Sequence, residues 1–120
     1  ADPANHWTRR ALAWSHRALG HALAAAGHPQ GALRSPRESL SLARALASGP
    51  RPPARDRFEV ARSLASTAEA ERAGGLPADA RAHLEEAVAL LEELAGHDPA
   101  NADLQAERAQ AVAQRGPARR

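Results

Sequence analysis

The side chains best equipped for chemistry in this chain are its six histidines, a set of paired glutamates, and tryptophan beside arginine. A metal site on a helix wants ligands one turn apart, but His16 and His21 are five residues apart, about 140° around a helix. His6, His28, His83 and His97 stand alone. Glu85, Glu86, Glu92 and Glu93 could in principle work as acid and base, yet they lie opposite the apolar stripe of Leu84, Ala87, Val88, Leu91, Leu94 and Ala95. Carboxylates placed there face water. Cysteine is absent, which removes thiol nucleophiles, disulfides, zinc–thiolate sites and iron–sulfur ligation together. No phosphate-cradling glycine loop, nucleophile elbow or Ser/His/Asp arrangement occurs. The expectation is a chain with no catalytic, cofactor or metal residues. What remains is recognition: Trp14, Arg17 and His21 share one end of an arc, and tryptophan and arginine are favoured interface anchors. The competing reading is that Trp14 packs on a neighbouring helical unit.

These residues need elements to position them, and composition says which. Alanine and leucine supply nearly all of the apolar content, with one Phe, two Trp and no Tyr or Met, so strand formers are scarce and helix is favoured. Helices are expected at about residues 5–26, 30 or 35–48, 55–73, 77–95 and 100–114. In the first, Leu12, His16, Leu19 and Leu23 form one apolar arc and Trp7, Ala11, Trp14, Ala18, Ala22 and Ala25 another. Between them lies a narrow polar wedge of Arg10, Arg17 and His21. The expected core is Leu12, Leu19, Leu23, Leu40, Leu84, Val88, Leu91 and Leu94. Pro36 would interrupt the second helix, whereas Ser35-Pro36-Arg37-Glu38 would make a good start for it. Pro50-Arg51-Pro52-Pro53 has the form of an extended P-x-x-P ligand, but its place between helices suits a stiff connector.

An internal repeat organises these helices. Asp2-Pro3-Ala4-Asn5 recurs as Asp98-Pro99-Ala100-Asn101, 96 residues later, and half that step superposes Gly27-His28-Pro29 on Gly75-Leu76-Pro77. The same 48-residue step carries Ala32 to Ala80, Leu40 to Val88, Leu42 to Leu90 and Leu46 to Leu94. Unit one then covers about 1–49 and unit two about 50–97. A capping helix or truncated third unit covers about 98–114, and residues 115–120 form a tail. The recurrence of the opening motif, and the absence of an initiator methionine, lead to the expectation of a segment from a longer array.

Within unit one, His16-x2-Leu19-Gly20-x2-Leu23 followed by Ala32-x3-Pro36 resembles the tetratricopeptide signature W-x2-L-G-x2-Y…A-x3-F. Unit two places Leu64, Thr67, Ala68, Glu71, Ala80 and Leu84 on those positions. The period exceeds the family's 34 residues, so the chain looks like a long-helix bacterial variant. The resemblance implies an all-α fold of helical hairpins in a short right-handed solenoid, with Gly20 allowing close helix approach and Ala32 receiving the packing. It also implies a concave groove that binds a peptide or partner protein, its groove-facing positions falling on Trp14, Arg17, His21, Arg62 and Glu69.

All sixteen basic residues are Arg, and they are unevenly spread: residues 1–60 hold nine Arg against four acids, residues 61–120 seven Arg against ten acids. A two-signed chain of this kind suits packing on a partner better than tracking a phosphate backbone. The leading expectation is therefore a non-catalytic scaffold for an acidic peptide or protein. A structural spacer is the alternative, and nucleic-acid binding through Arg9, Arg10, Arg17, Arg34 and Arg37 is disfavoured by the lack of stacking aromatics. No apolar run approaches the ~20 residues that span a bilayer, so a soluble, cytoplasmic chain without membrane contact is expected.

Overall fold

Gly27 and Gly75, which the 48-residue step superposes, both adopt left-handed backbone, at φ 79° and 82°. A side chain is strained in that conformation, so glycine lets each helix close by bending back on itself. The closing bonds match as well: His28 N–H donates to Leu23 C=O at 2.9 Å and Leu76 N–H to Glu71 C=O at 2.8 Å. Pro29 and Pro77 then open the following helices, where a proline nitrogen lacks no intrahelical partner.

The computed structural model describes residues 3–116, with the side chains of residues 3–5 left aside. Asp2 of the first junction motif and tail residues 117–120 lie outside the described residues. The described residues form five helices: α1 Pro3–Ala25, α2 Pro29–Leu46, α3 Ala54–Ala73, α4 Pro77–His97 and α5 Ala102–Arg115. The described residues contain no strand, and the protein is all-α. Each helix packs on the next, and α3 also touches α1 and α5. The Cα radius of gyration, 14.2 Å, is close to the ~13.6 Å of a compact 120-residue chain.

The apolar core lies between α3, α4 and α5, where Leu84, Val88, Leu91, Leu94 and Leu104 are buried against Ala61 and Ala68. Leu40, Val60, Leu64 and Ala87 form a second cluster toward α2. Of the expected core, Leu40, Leu84, Val88, Leu91 and Leu94 are in place, Leu23 is half-buried, and Leu12 and Leu19 are exposed. The last two require a correction with a physical cause. The helix turns Ala13, Arg17 and Gly20 inward instead, because α2 approaches closely and α3 presents carboxylates. Ser39 Oγ donates to Ala13 C=O at 2.6 Å, and a Cβ on Gly20 would stand 2.7 Å from the Pro36 ring.

That close approach also settles the second helix, which runs from Pro29 straight through Pro36. An interior proline costs ~3 kcal/mol. Here its ring is buried against Gly20, so the residue that receives the glycine is Pro36; Ala32 is also buried. Pro53, the last of the proline run, adopts extended backbone at φ −59° and ψ 148° and serves as the N-cap of α3. At the start of α5, the Asn101 side chain of the second junction motif accepts from Leu104 N–H at 3.1 Å.

A surface clip joins α2 to α4: Arg44 donates to both carboxylate oxygens of Glu86, at 2.8 and 3.0 Å. Those bonds hold the Glu86 carboxyl below the ordinary range, partial burial opposing, and push the Arg44 guanidinium up. A depressed carboxyl stabilises the fold above its unfolded titration range and loses that contribution as pH falls through its lowered folded range. Both side chains are half-exposed, so the contribution after solvent screening stays below ~1 kcal/mol.

Leu84 is the side chain to remove as a check on the core. Leu84→Ala is expected to lower unfolding free energy by ~2–5 kcal/mol in urea melts, whereas Leu19→Ala at an exposed site should move it by less than ~1 kcal/mol.

Candidate functional site

The central helix α3 carries an unusual inner face. Asp56, Ser63, Thr67 and Glu71 are all fully or almost fully buried along it. Buried carboxylates demand partners, and the surrounding helices bring them. Asp56 accepts from Arg10 Nη2 at 3.1 Å and pairs with His6 Nε2 at 3.0 Å, both from α1. Glu71 accepts from Arg37 of α2 at 3.1 Å and pairs with His83 Nδ1 of α4 at 2.6 Å. An imidazole on a carboxylate can orient a general base, but here each carboxylate also takes an arginine, and each trio works as a clasp across helices. Between them, Ser63 Oγ meets Ser39 Oγ at 2.9 Å, and Thr67 Oγ1 donates to Ser63 C=O within the helix.

Arg17 belongs to the same system. Its guanidinium lies against Glu59 of α3, and the two side chains are 8% and 12% exposed. Arg10 and Arg17 of the polar wedge are thus turned inward while His21 is exposed, contrary to the expected arrangement, in which the leucine arc was packed. The reason is electrostatic: Asp56 and Glu59 sit opposite, and His6, Arg10 and Arg17 meet them.

The sequence-derived positions fall into two groups. Arg17 and His21 of α1 and Arg62 and Glu69 of α3 line one depression, closed on its far side by Glu107 and Gln110 of α5. It holds about 140 Å³ and is mostly polar. Trp14 is not among its lining residues and stands exposed on α1. Inside the depression the cations are engaged. Arg62 Nε is 3.5 Å from Glu107, with its guanidinium 5.3 Å from the Phe58 ring centroid, and His21 Nε2 is 3.4 Å from Ser66 Oγ.

A second, wider cleft of about 640 Å³ opens where α3 begins and α4 ends, lined by Pro52, Phe58, Leu94, His97 and Leu104. Residue spacing did not point to it, since its walls come from three separate helices and a connector. Nor did spacing reveal the buried roles of Asp56, Glu59 and Glu71. For Glu71 the available signal was the charge split between the halves; Asp56 and Glu59 fall in the arginine-rich half, where the split gave none.

No family model, curated protein or solved structure matches this chain. Among the described residues, no three His, Asp or Glu side chains are grouped to hold a metal ion, and no helix is long and apolar enough to cross a membrane.

The Arg17–Glu59 pair distinguishes a structural arginine from a ligand-facing one. Arg17→Ala strands a largely buried carboxylate, so a loss of about 3 kcal/mol is expected, against less than ~1 kcal/mol for an exposed pair. In a double-mutant cycle, adding Glu59→Ala should recover part of that loss, read as the urea midpoint.

Proposed function

We propose that the chain is a non-catalytic protein-binding module, its helices stacked in the tetratricopeptide manner as a short right-handed solenoid. A peptide or partner segment would be held across α1, α3 and α5. The observation that carries this reading is the depression in which Arg17, His21, Arg62 and Glu69 meet Glu107 and Gln110. Consecutive packing of all five helices, with α3 touching α1 and α5, supports it, because alternate helices must be neighbours if they are to line one groove. The matching glycine closures at Gly27 and Gly75 support the two-unit reading.

The groove's own chemistry narrows the ligand. Arg17 is committed to Glu59 and holds the wall, so Arg62, His21 and Glu69 are left to meet a partner. Arg62 reaches Glu107 only at the long distance of 3.5 Å, and an incoming carboxylate can exchange for it. An acidic segment is therefore the proposed occupant, bound by polar exchange and weakened by salt. Nucleic acid fits less well, since Arg10, Arg17 and Arg37 are all turned to carboxylates of the protein itself.

Fluorescence anisotropy with labelled Asp/Glu-rich nonamers tests the proposal. Dissociation constants of about 1–100 µM are expected, rising at high salt and at least tenfold in Arg62→Ala. Binding indifferent to Arg62→Ala, or none at millimolar peptide, would remove the groove as the site.

A further inference from the structure

Every large apolar side chain left exposed among the described residues lies on α1: Trp7 at 67%, Leu12 at 46%, Trp14 at 58% and Leu19 at 47%. Single exposed leucines are ordinary, but the two tryptophans, on a different arc from the leucines, form an apolar patch that calls for a cover. Its pattern is specific. Trp7, Ala11, Trp14, Ala18, His21 and Ala25 follow one another at alternating steps of four and three residues, the spacing of a heptad seam, and large residues alternate with alanine along it.

The flanks suit a helix partner. On one side Arg10 and Arg17 bend inward to Asp56 and Glu59, so the seam is not bordered by free positive charge. On the other side stand Ser15 and Ala22, both small, and the Ser15 hydroxyl donates to Ala11 C=O of its own helix at 2.9 Å. Small residues on this side let two such helices approach closely.

The repeat indicates which partner fits. The 48-residue step places Leu12 and Leu19 on Val60 and Thr67, which are buried where α3 faces the first helix pair. It places Trp7 and Trp14 on Arg55 and Arg62, which are not buried there. Another helix pair docked as α1 and α2 dock on α3 would thus cover the leucines and leave the tryptophans in water. The tryptophans need an apolar helix with small residues spaced to receive them, and α1 of a second copy carries those residues.

We propose that the chain forms a two-fold dimer through the outer face of α1, the two helices antiparallel. A parallel pair would set Trp14 against Trp14 and Ala18 against Ala18, alternating crowding with voids. In the antiparallel pair Trp7 faces Ala25, Ala11 faces His21 and Trp14 faces Ala18, and the symmetry axis repeats all three contacts. The axis passes beside Ser15, which meets its own counterpart. One helix pair is smaller than a standard interface of ~1,600 Å², so a dissociation constant of about 1–50 µM is expected.

Sedimentation equilibrium of the whole chain from about 1 to 200 µM should show a monomer–dimer equilibrium at concentrations bracketing that constant. Ala18→Glu should abolish the dimer with helicity and melting temperature of the monomer unchanged, because Ala18 is exposed. Ala18→Trp should weaken it at least tenfold by opposing tryptophan to tryptophan, and adding Trp14→Ala should restore it by exchanging the large and small partners. Ser15→Cys should oxidise to a disulfide-linked dimer. Arg62→Ala, which removes the groove's exchangeable cation, should leave the dimer intact, so failure here and failure of the groove reading are told apart. A chain monomeric throughout the range would overturn the proposal and assign the face to a different helix. So would a dimer that survives Ala18→Glu, or a swap that fails to restore association.

Discussion

Asp56 and Glu71 are carboxylates withdrawn almost entirely from water in the middle of a small helical protein, and the placement of the other helices follows from satisfying them. Leaving such a group unpaired would cost several kcal/mol, comparable to a large part of a small domain's stability. Hence α1 must deliver His6 and Arg10, α2 must deliver Arg37, and α4 must deliver His83. Buried ion pairs seldom add much net stability over an apolar alternative, but they are unforgiving of register. Sliding α1 by one turn against α3 would move its cations by about 5.4 Å and break the Asp56 and Glu59 contacts together.

The two sides of α3 are consequently held by different forces. Toward α4 and α5 the contact is leucine, valine and alanine, and the hydrophobic effect operates without direction. Toward α1 and the middle of α2 it is charge, hydroxyl and backbone carbonyl, with Ser39 and Ser63 permitting a closeness that larger side chains would prevent. This division accounts for the uneven spread of charge along the chain: arginines of the first pair of helices meet carboxylates of the second. It also limits the groove, whose basic residues already have partners before any ligand arrives.

The inward rotation of Arg10 and Arg17 has an outward counterpart. A helix whose charged face is buried must turn its apolar face elsewhere, and α1 presents its tryptophans and two leucines to solvent. The same electrostatic demand therefore shapes both candidate surfaces, taking Arg17 out of the ligand's reach and creating the apolar seam.

Local rules were enough to read the helices and their ends. Scarce strand formers, the glycines at 27 and 75, the prolines that follow them and the capping Asn101 act over a few residues, and the structure uses each as its chemistry dictates. The clean amphipathic pattern of α4 likewise fixed Leu84, Val88, Leu91 and Leu94 as core, because one apolar stripe has only one face to bury. Helix α1 was ambiguous for the opposite reason: with apolar residues on two arcs, periodicity cannot say which side is covered, and the answer came from carboxylates some 40 residues away. Pro36 was similar, since local preference would start a helix there, while a ring-sized space beside Gly20 lets the helix continue through it. The resemblance grouped Trp14 with Arg17, His21, Arg62 and Glu69; the last four line one depression and Trp14 stands outside it, and that Arg17 would be spent on Glu59 was not legible. Sequence determined what each segment could become by itself, and tertiary structure decided which of two acceptable faces each helix would hide, because burial of charge is settled only between partners distant along the chain.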